Sequence, residues 1–191
     1  MTETRSLIIQ SAATLFYGEG LRAVSMDAVA ERAGLTKRTL YYHFASKDDL
    51  IAAYLAERDN PNLALFQRWF TQGGVAGLFA ELERAARRKD WKGCGFQRAV
   101  AELANMPGHP AMTAARAHKK RVEDWLAECF AGTPDAARLA KGIALLMEGA
   151  FASALMTRDA NVFALAGQTA TALVRQAESP LVPLGKTGPL D

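Results

Sequence analysis

Apolar residues recur along the chain at the spacing of one face of an α-helix. Ile8, Ala12, Leu15 and Phe16 stand at i, i+4, i+7 and i+8, which is the apolar stripe of an amphipathic helix. No stretch of useful length alternates apolar and polar residues with period two, so the pattern predicts no β-sheet. We therefore expect an all-α fold.

Capping residues and helix breakers divide this pattern into separate helices. Ser25, Thr36 and Ser46 each stand directly before a predicted helix, where a hydroxyl oxygen can accept a bond from a free backbone amide. Asn60-Pro61 is expected to break or kink the helix that Ser46 begins, and Gly73-Gly74 is expected to end the next one. The predicted helices after the first cover residues 25–34, 36–44, 46–59, 63–70, 75–89, 96–105, 111–130, 135–157 and 161–178.

Two of the short helices are joined by a tight turn that contains glycine. The turn reads AGLT, residues 33–36, and two helices joined in this way form a helix-turn-helix. The second helix begins after Thr36, so that end exposes free backbone amides and a partial positive charge. In helix-turn-helix proteins, the first residues of the second helix meet base edges in the major groove of DNA.

The placement of charge supports this interpretation more than the total charge does. The 191 residues carry a formal net charge of only +3, and the first fifty residues hold six basic and six acidic side chains. Between residues 33 and 47, however, the charged side chains are Lys37, Arg38 and Lys47, and none is acidic. Attraction to DNA phosphates depends on such local basic groups.

The first turn of the second helix carries groups that can read bases. Lys37 and Arg38 can donate to O6 and N7 of guanine, and the methyl group of Thr39 can meet the methyl group of thymine. Leu40 and Phe44 lie four residues apart and are expected to face the core of the N-terminal helices. The helix therefore has one side for packing and another for a duplex.

Further polar groups near this helix suit the phosphate backbone of DNA. Tyr42 and His43 carry donors on rigid rings, and Lys47 is a point charge just beyond the helix. The simpler alternatives are that Tyr41 packs between the helices and that Lys47 is a solvated charge at a helix start. All candidate DNA contacts together are Ser25, Thr36, Lys37, Arg38, Thr39, Tyr41, Tyr42, His43 and Lys47.

The segment AVSMDAVAERAGLTKRTLYYHFASKDDL, with RSLIIQSAATLFYGEG before it, resembles the DNA-binding domain of the TetR family of bacterial transcriptional regulators. The most specific part is the run L-Y-x-H-F-x-S-K from Leu40 to Lys47. Beyond residue 50 the likeness is looser and includes a GCGF loop at residues 93–96. Many members have glycine where Arg38 stands, so this side chain is expected to read a base that relatives leave unread.

The resemblance implies a division of the chain and a set of partners. Residues 1–46 are the expected helix-turn-helix DNA-binding domain in a three-helix bundle, residues 47–178 a larger helical ligand-binding and dimerisation domain, and residues 179–191 a disordered tail rich in proline and glycine. The implied partners are double-stranded DNA with a palindromic operator, a second copy of the chain and a small-molecule effector. The implied function is repression that the effector relieves, with activation or ligand-independent regulation as alternatives.

The C-terminal domain offers a candidate interface and candidate ligand-lining residues. The resemblance places the dimer interface on residues 138–157 and on the preceding helix, which holds Trp125, Leu126 and Phe130; packing within one subunit is the alternative. An apolar or aromatic effector is expected, although apolar stripes at helical spacing are usually plain core. The candidate lining residues are Phe66, Trp69, Phe70, Phe79, Leu82, Trp91, Phe96, Met106 and Met112.

Composition excludes several other classes. The two cysteines, Cys94 and Cys129, are too few for a disulfide framework, and no signal peptide opens the chain, so a cytoplasmic location is expected. They stand 35 residues apart, no closely spaced histidines accompany them, and neither a metal site nor a bound cofactor is predicted. The most apolar stretch, residues 143–156, is too short for a membrane span and contains Glu148.

Cys94 leaves a further alternative open. It lies near Lys92 and directly before a helix, conditions that activate thiols, so a redox-sensing regulator is one possibility. No motif for catalysis is present, and an enzyme would have only this thiol as a nucleophile; a helical adaptor with a vestigial DNA-binding domain is the third class. Arg98 and Glu102 lie four residues apart and are expected to pair at the surface.

Overall fold

The computed structural model describes residues 3–178 of the chain, and these residues contain eight α-helices. No strand occurs within those residues, and the all-α expectation is confirmed. The tail predicted at residues 179–191 lies outside the described residues. The helices are α1 (Glu3–Glu19), α2 (Met26–Arg32), α3 (Lys37–His43), α4 (Lys47–Ala86), α5 (Gly95–Glu102), α6 (Pro110–Cys129), α7 (Ala136–Thr157) and α8 (Asn161–Glu178).

The predicted caps form at the starts of α2, α3 and α4. The hydroxyl oxygens of Ser25, Thr36 and Ser46 each accept a hydrogen bond of 3.1 Å from the backbone amide three residues on. Gly34, in the turn between α2 and α3, has a φ of +65°, which glycine adopts without a steric penalty. Local chemistry alone therefore builds the helix-turn-helix, and we call α1–α3 the head.

The predicted break at Asn60-Pro61 is wrong. Helix α4 runs for 40 residues with Pro61 inside it, and its non-helical backbone angles occur at Gly73 and Gly74, where a break was also predicted. Gly74 has φ +59° and ψ −152°, a region that is essentially restricted to glycine. Pro61 removes one backbone hydrogen bond, but α4 packs along its length against α6 and α8, and this packing overrides the local preference.

Two apolar clusters fill the molecule. The first contains Phe16 of α1, Leu40 of α3 and Leu50 of α4, and it continues into Phe96 of α5. The second lies between the later part of α4 and helices α6, α7 and α8, which we call the body. Helix α5 therefore buries its apolar side in the same core as the head.

Helices α7 and α8 keep large apolar side chains outside both clusters. Leu145 and Met156 of α7 and Leu165 of α8 are 62%, 79% and 66% exposed. Leu126 of α6 and Phe130 at its C-cap are buried in the subunit's own second cluster, which favours packing within one subunit for these two side chains. They pack inside one subunit because α6 lies between α4 and α7.

Helix α7 is longer than the apolar stretch predicted from the sequence. Its 22 residues and mean hydropathy of 1.5 would suffice to cross a membrane by length and composition. The core helix of a soluble protein passes the same test. Ile143 and Met147 on its inner side are buried in the second cluster, so α7 acts as a core helix of the body.

Candidate nucleic-acid interface

Helix α3 has one buried side and one exposed side. Leu40 and Phe44 are buried in the first apolar cluster, as the sequence predicts. On the opposite side Arg38 is exposed and Tyr42 is 85% exposed. The ring of Tyr42 meets the ring of His43 edge to face, with 5.2 Å between centroids. Because the inner side is anchored, the polar groups of α3 are held in one orientation relative to the head.

The two predicted base readers at the start of α3 differ in their surroundings. Nζ of Lys37 lies 2.8 Å from Oδ1 of Asp27 on α2, and the hydrogen bond and charge of that carboxylate raise the pKa of Lys37. Both groups are exposed, so the pair is screened and weak. The side chain of Arg38 forms no hydrogen bond or ion pair within residues 3–178. Arg38 is therefore the group that is ready to meet a partner.

Lys47 is anchored at the start of α4. Its Nζ donates to the carbonyl oxygen of Arg22 at 3.0 Å, and burial lowers the pKa of Lys47 against the opposing charge of Asp48. An ammonium group has three donors, so further donors are left for another acceptor. The contact also holds the start of α4 beside the turn that leads to Ser25.

The nine predicted DNA contacts lie at the N-terminal ends of α2 and α4 and along the whole of α3, including its last turn. Ser25 caps α2, residues 36–43 form the cap and the length of α3, and Lys47 begins α4. Tyr41 is exposed rather than packed between the helices. The exposed members are Ser25, Thr36, Lys37, Arg38, Tyr41 and Tyr42, and the partly buried members are Thr39, His43 and Lys47.

The chain is similar to known proteins both in its N-terminal segment and in its overall fold. Residues 8–54 match the model of bacterial regulatory proteins of the TetR family. A solved TetR-family transcriptional regulator from Streptomyces coelicolor is 28% identical, with a TM-score of 0.82 over 93% of this chain and 97% of that one. The N-terminal segment thus matches the TetR family, and the fold of the chain matches solved TetR-family regulators. A solved TetR-type regulator from Streptomyces avermitilis is 27% identical, with a TM-score of 0.81 over 94% of this chain and 100% of that one.

Curated relatives match this chain over short segments. The transcriptional regulator SrpR of Pseudomonas putida is 37% identical over 59 residues, which are 31% of this chain and 28% of that protein. The transcriptional activator FasR of Mycolicibacterium smegmatis is 42% identical over 53 residues, which are 28% and 24% of the two chains. The match thus spans less than a third of these relatives, which are regulators rather than enzymes.

A cavity of about 240 Å³ opens between α4, α6 and α7 in the body. Two ion pairs, Lys119–Glu148 and Lys141–Glu123, lie in its wall. Its lining residues are Phe66, Lys119, Val122, Glu123, Lys141, Ala144, Leu145, Met147, Glu148 and Phe151. Sequence analysis missed the charged members, because their only signal is that they interrupt the apolar stripes of α6 and α7.

The structure does not bring the nine predicted lining residues together in this cavity. Phe66 borders it, and Met106 is exposed on the loop before α6. The first apolar cluster holds Phe96 and Met112. The second holds or borders Trp69, Phe70, Phe79, Leu82 and Trp91. Most of these side chains therefore pack as core, as apolar stripes usually do.

A polar cluster lies buried where α4 meets α6. Nδ1 of His118 is 2.8 Å from Oδ1 of Asp59, Arg121 pairs with the same carboxylate, and the imidazole ring stacks on Phe96 with 3.7 Å between centroids. His118 is 1% exposed, and this burial, with the nearby charge of Lys119, lowers its pKa to about 4. The imidazole is therefore neutral at pH 7. The sequence does not reveal this cluster, because Asp59 lies 59 residues from His118 along the chain.

The neutral state of His118 predicts a pH-dependent stability. Its pKa is about 4 in the folded chain and near the ordinary 6.5 in the unfolded chain, so the unfolded state takes up the proton first as the pH falls. The free energy of unfolding should therefore drop by about 2 kcal/mol between pH 7 and pH 5 through this group. A His118→Gln variant lacks that contribution, and denaturant titrations of both proteins at the two pH values measure the difference. Equal losses in the two proteins would contradict a neutral buried imidazole.

Cys94 occupies the N-cap position of α5 and is partly buried. Its Sγ accepts a hydrogen bond of 3.4 Å from Nζ of Lys119, the lysine that also pairs with Glu148 in the cavity wall. Lys92, the neighbour named from the sequence, instead donates its backbone amide to the hydroxyl of Tyr17 at 2.8 Å. The lysine that faces Cys94 therefore comes from α6.

Proposed function

We propose that this TetR-family chain is a dimeric, sequence-specific DNA-binding regulator that represses transcription until a small molecule releases it from a palindromic operator. The observation that carries the proposal is the arrangement of α3, whose apolar side is buried while its first turn and its tyrosines are exposed. TetR-family regulators are soluble DNA-binding proteins that act as dimers, and we place this one in the cytoplasm. Activation is the alternative outcome, since the relative FasR is an activator.

The proposed DNA contacts divide into two groups. Residues in the first turn of a recognition helix reach base edges, and the surrounding donors hold phosphates and set the register. The proposed base readers are Lys37, Arg38 and Thr39. The proposed phosphate contacts are Ser25, Thr36, Tyr41, Tyr42, His43 and Lys47.

The proposed dimer interface lies on α7 and α8. A two-fold operator requires a two-fold protein, and Leu145, Gly149, Ala152 and Met156 form an exposed stripe along α7 at helical spacing. Leu165 is a large exposed apolar residue of α8, and α8 packs against α7. Pairing the two helices with those of a second copy would make a four-helix bundle.

The proposed effector site is the cavity between α4, α6 and α7. Its apolar side chains, such as Phe66, Met147 and Phe151, suit an apolar or aromatic molecule. Lys119 and Glu148 offer one charge of each sign to a polar end of that molecule. A ligand there would compete with the ion pair between them.

Selection of duplexes from a random DNA library at near-physiological salt tests the proposal. The purified protein should enrich an inverted repeat, and a Lys37→Ala, Tyr42→Ala double variant should lose that enrichment. No enrichment by a soluble and folded protein would favour a helical adaptor whose head does not read DNA. The selected operator then serves to screen effectors by their ability to release it.

The Lys37–Asp27 pair leads to a prediction about affinity. Asp27→Asn removes a negative charge beside the proposed interface and frees Lys37, so binding to both operator and unrelated DNA should tighten by up to about fivefold. Fluorescence anisotropy titrations at two salt concentrations measure the effect. Glu19→Gln, an exposed carboxylate at the end of α1, is the matched control for general charge. An equal gain from both variants would show that the pair does not restrain Lys37.

The contact between Cys94 and Lys119 favours a second candidate function, regulation through the thiol. A cysteine beside a lysine ammonium and before a helix is in the environment of reactive thiols, and Lys119 connects it to the cavity wall. Cys129 is more exposed, but burial of its sulfur and the charge of Glu128 raise its pKa. Iodoacetamide should therefore label Cys94 faster than Cys129, and labelling should weaken operator binding. Faster labelling of Cys129 would remove this candidate.

A further inference from the structure

Helix α5 makes polar contacts with the head that the sequence does not reveal. Arg98 and Glu102 do not form the surface pair expected from their spacing. Arg98 donates to the carbonyl oxygen of Tyr17 at 2.8 Å, and Oε2 of Glu102 accepts from the backbone amide of Arg22 at 3.1 Å. Arg98 therefore holds the last turn of α1, and Glu102 holds the segment between α1 and α2.

Glu102 fits closely against this segment. The carboxylate is so close to Gly20 that a Cβ at residue 20 would lie 3.3 Å from both of its oxygens. Gly20 also has a φ of +99°, a conformation that favours glycine. The turn from Gly20 to Arg22 is thus shaped to receive a carboxylate from α5.

The same turn anchors a proposed phosphate contact. The backbone amide of Arg22 donates to Glu102, and the carbonyl oxygen of Arg22 accepts from Nζ of Lys47 at 3.0 Å. One residue therefore joins α5 to the first residue of α4. If the carboxylate is removed, the Arg22 carbonyl loses its restraint and Lys47 loses a fixed acceptor.

The other side of α5 contacts the wall of the cavity. Nε2 of Gln97 donates to the carbonyl oxygen of Glu148 at 3.1 Å, and Cys94 accepts from Lys119. Glu148 and Lys119 both line the cavity. Helix α5 is therefore in polar contact with the cavity wall on one side and with the head on the other.

We infer that Glu102 is a positioning residue that holds the Gly20–Arg22 turn so that Lys47 meets a DNA phosphate. This inference rests on the proposed function, because it concerns the same DNA-binding surface. The decisive quantity is the non-additivity of substitutions at residues 102 and 47.

A double-mutant cycle on the selected operator tests the inference. Lys47→Ala should weaken binding by about tenfold and lower the steepness of the salt dependence by about one per half-site. Glu102→Ala should reproduce most of that loss in affinity and in salt dependence. In the Lys47→Ala background, Glu102→Ala should have little further effect. Additive losses would overturn the inference.

Matched variants distinguish an effect of positioning on DNA affinity from an effect of charge or of misfolding. Loss of an acidic group near DNA should by itself tighten binding, so weaker binding of Glu102→Ala has the opposite sign to a charge effect. Glu102→Gln removes the charge but keeps an oxygen acceptor for Arg22, and it should bind at least as well as the wild type. If Glu102→Ala does not fold, Glu102→Asp replaces it in the cycle, because its shorter side chain cannot reach the amide. Weakened binding by Glu102→Gln equal to that of the alanine or aspartate variant would contradict the inference.

Failure of the proposed function and failure of this inference give different results. A wild-type protein that binds no duplex would refute the DNA-binding function itself. A wild-type protein that binds its operator, with additive effects at residues 47 and 102, would leave the function intact and refute only the role of Glu102.

Discussion

Arg38→Ala is expected to weaken operator binding by about 1–3 kcal/mol per half-site and to relax the base preference at one position in each half-site. Arg38 is the second residue of α3, and its side chain is exposed with no intramolecular partner within residues 3–178. No contact in the head has to break before the guanidinium meets a base. Lys37, in contrast, must first leave Asp27, so its loss should have the smaller effect.

Two variants show whether Arg38 reads a base or only adds charge. Arg38→Lys keeps the positive charge but lacks the planar fork that binds guanine through two donors, so it should recover affinity for unrelated DNA but not the base preference. Lys47→Ala should weaken binding to all DNA sequences equally, because a phosphate contact carries no sequence information. Titrations on the operator and on its single-base variants measure both effects. An equal loss on every sequence for Arg38→Ala would show that this residue contacts phosphate.

The parts of the fold that sequence predicts correctly are those that neighbouring residues determine. The caps at Ser25, Thr36 and Ser46 form because each hydroxyl reaches an amide three residues away, and Leu40 and Phe44 are buried because four residues bring them to one face. Such interactions need no knowledge of the rest of the chain.

The errors occur where distant residues decide the outcome. Pro61 stays helical within α4, which packs against α6 and α8, and these helices begin about fifty and a hundred residues later along the chain. Glu102 and Arg98 have the spacing of a helical ion pair, which contributes less than 1 kcal/mol. The backbone groups of Arg22 and Tyr17 compete for them successfully.

The two candidate sites also differ in whether neighbouring or distant residues form them. The proposed DNA-binding residues lie within 23 positions of one another in the sequence, from Ser25 to Lys47, and a motif can gather them. The cavity draws Phe66 from α4, Lys119 from α6 and Glu148 from α7. Which apolar residues remain core and which border the cavity depends on how these helices pack, and periodicity does not contain that information.

Leu165→Glu is expected to convert the protein to a monomer and to weaken operator binding by at least about a hundredfold. Leu165 is 66% exposed on α8, which packs against α7, the helix that carries the exposed residues Leu145 and Met156. A carboxylate in an apolar interface must be desolvated, and the two-fold axis brings in a second carboxylate from the partner copy. The monomer keeps an intact head, but it binds one half-site without the help of a second.

Sedimentation measures the oligomeric state of each variant, and operator titrations of the same samples measure its affinity. Met106→Glu is the matched control, since Met106 is also a large exposed apolar residue but lies outside α7 and α8; it should remain dimeric and bind normally. Leu165→Glu should regain operator affinity at protein concentrations that restore the dimer, because the loss arises from association rather than from the head. A dimeric Leu165→Glu protein with wild-type affinity would place the interface elsewhere. A monomer with wild-type affinity would mean that one head suffices, which a two-fold operator does not allow.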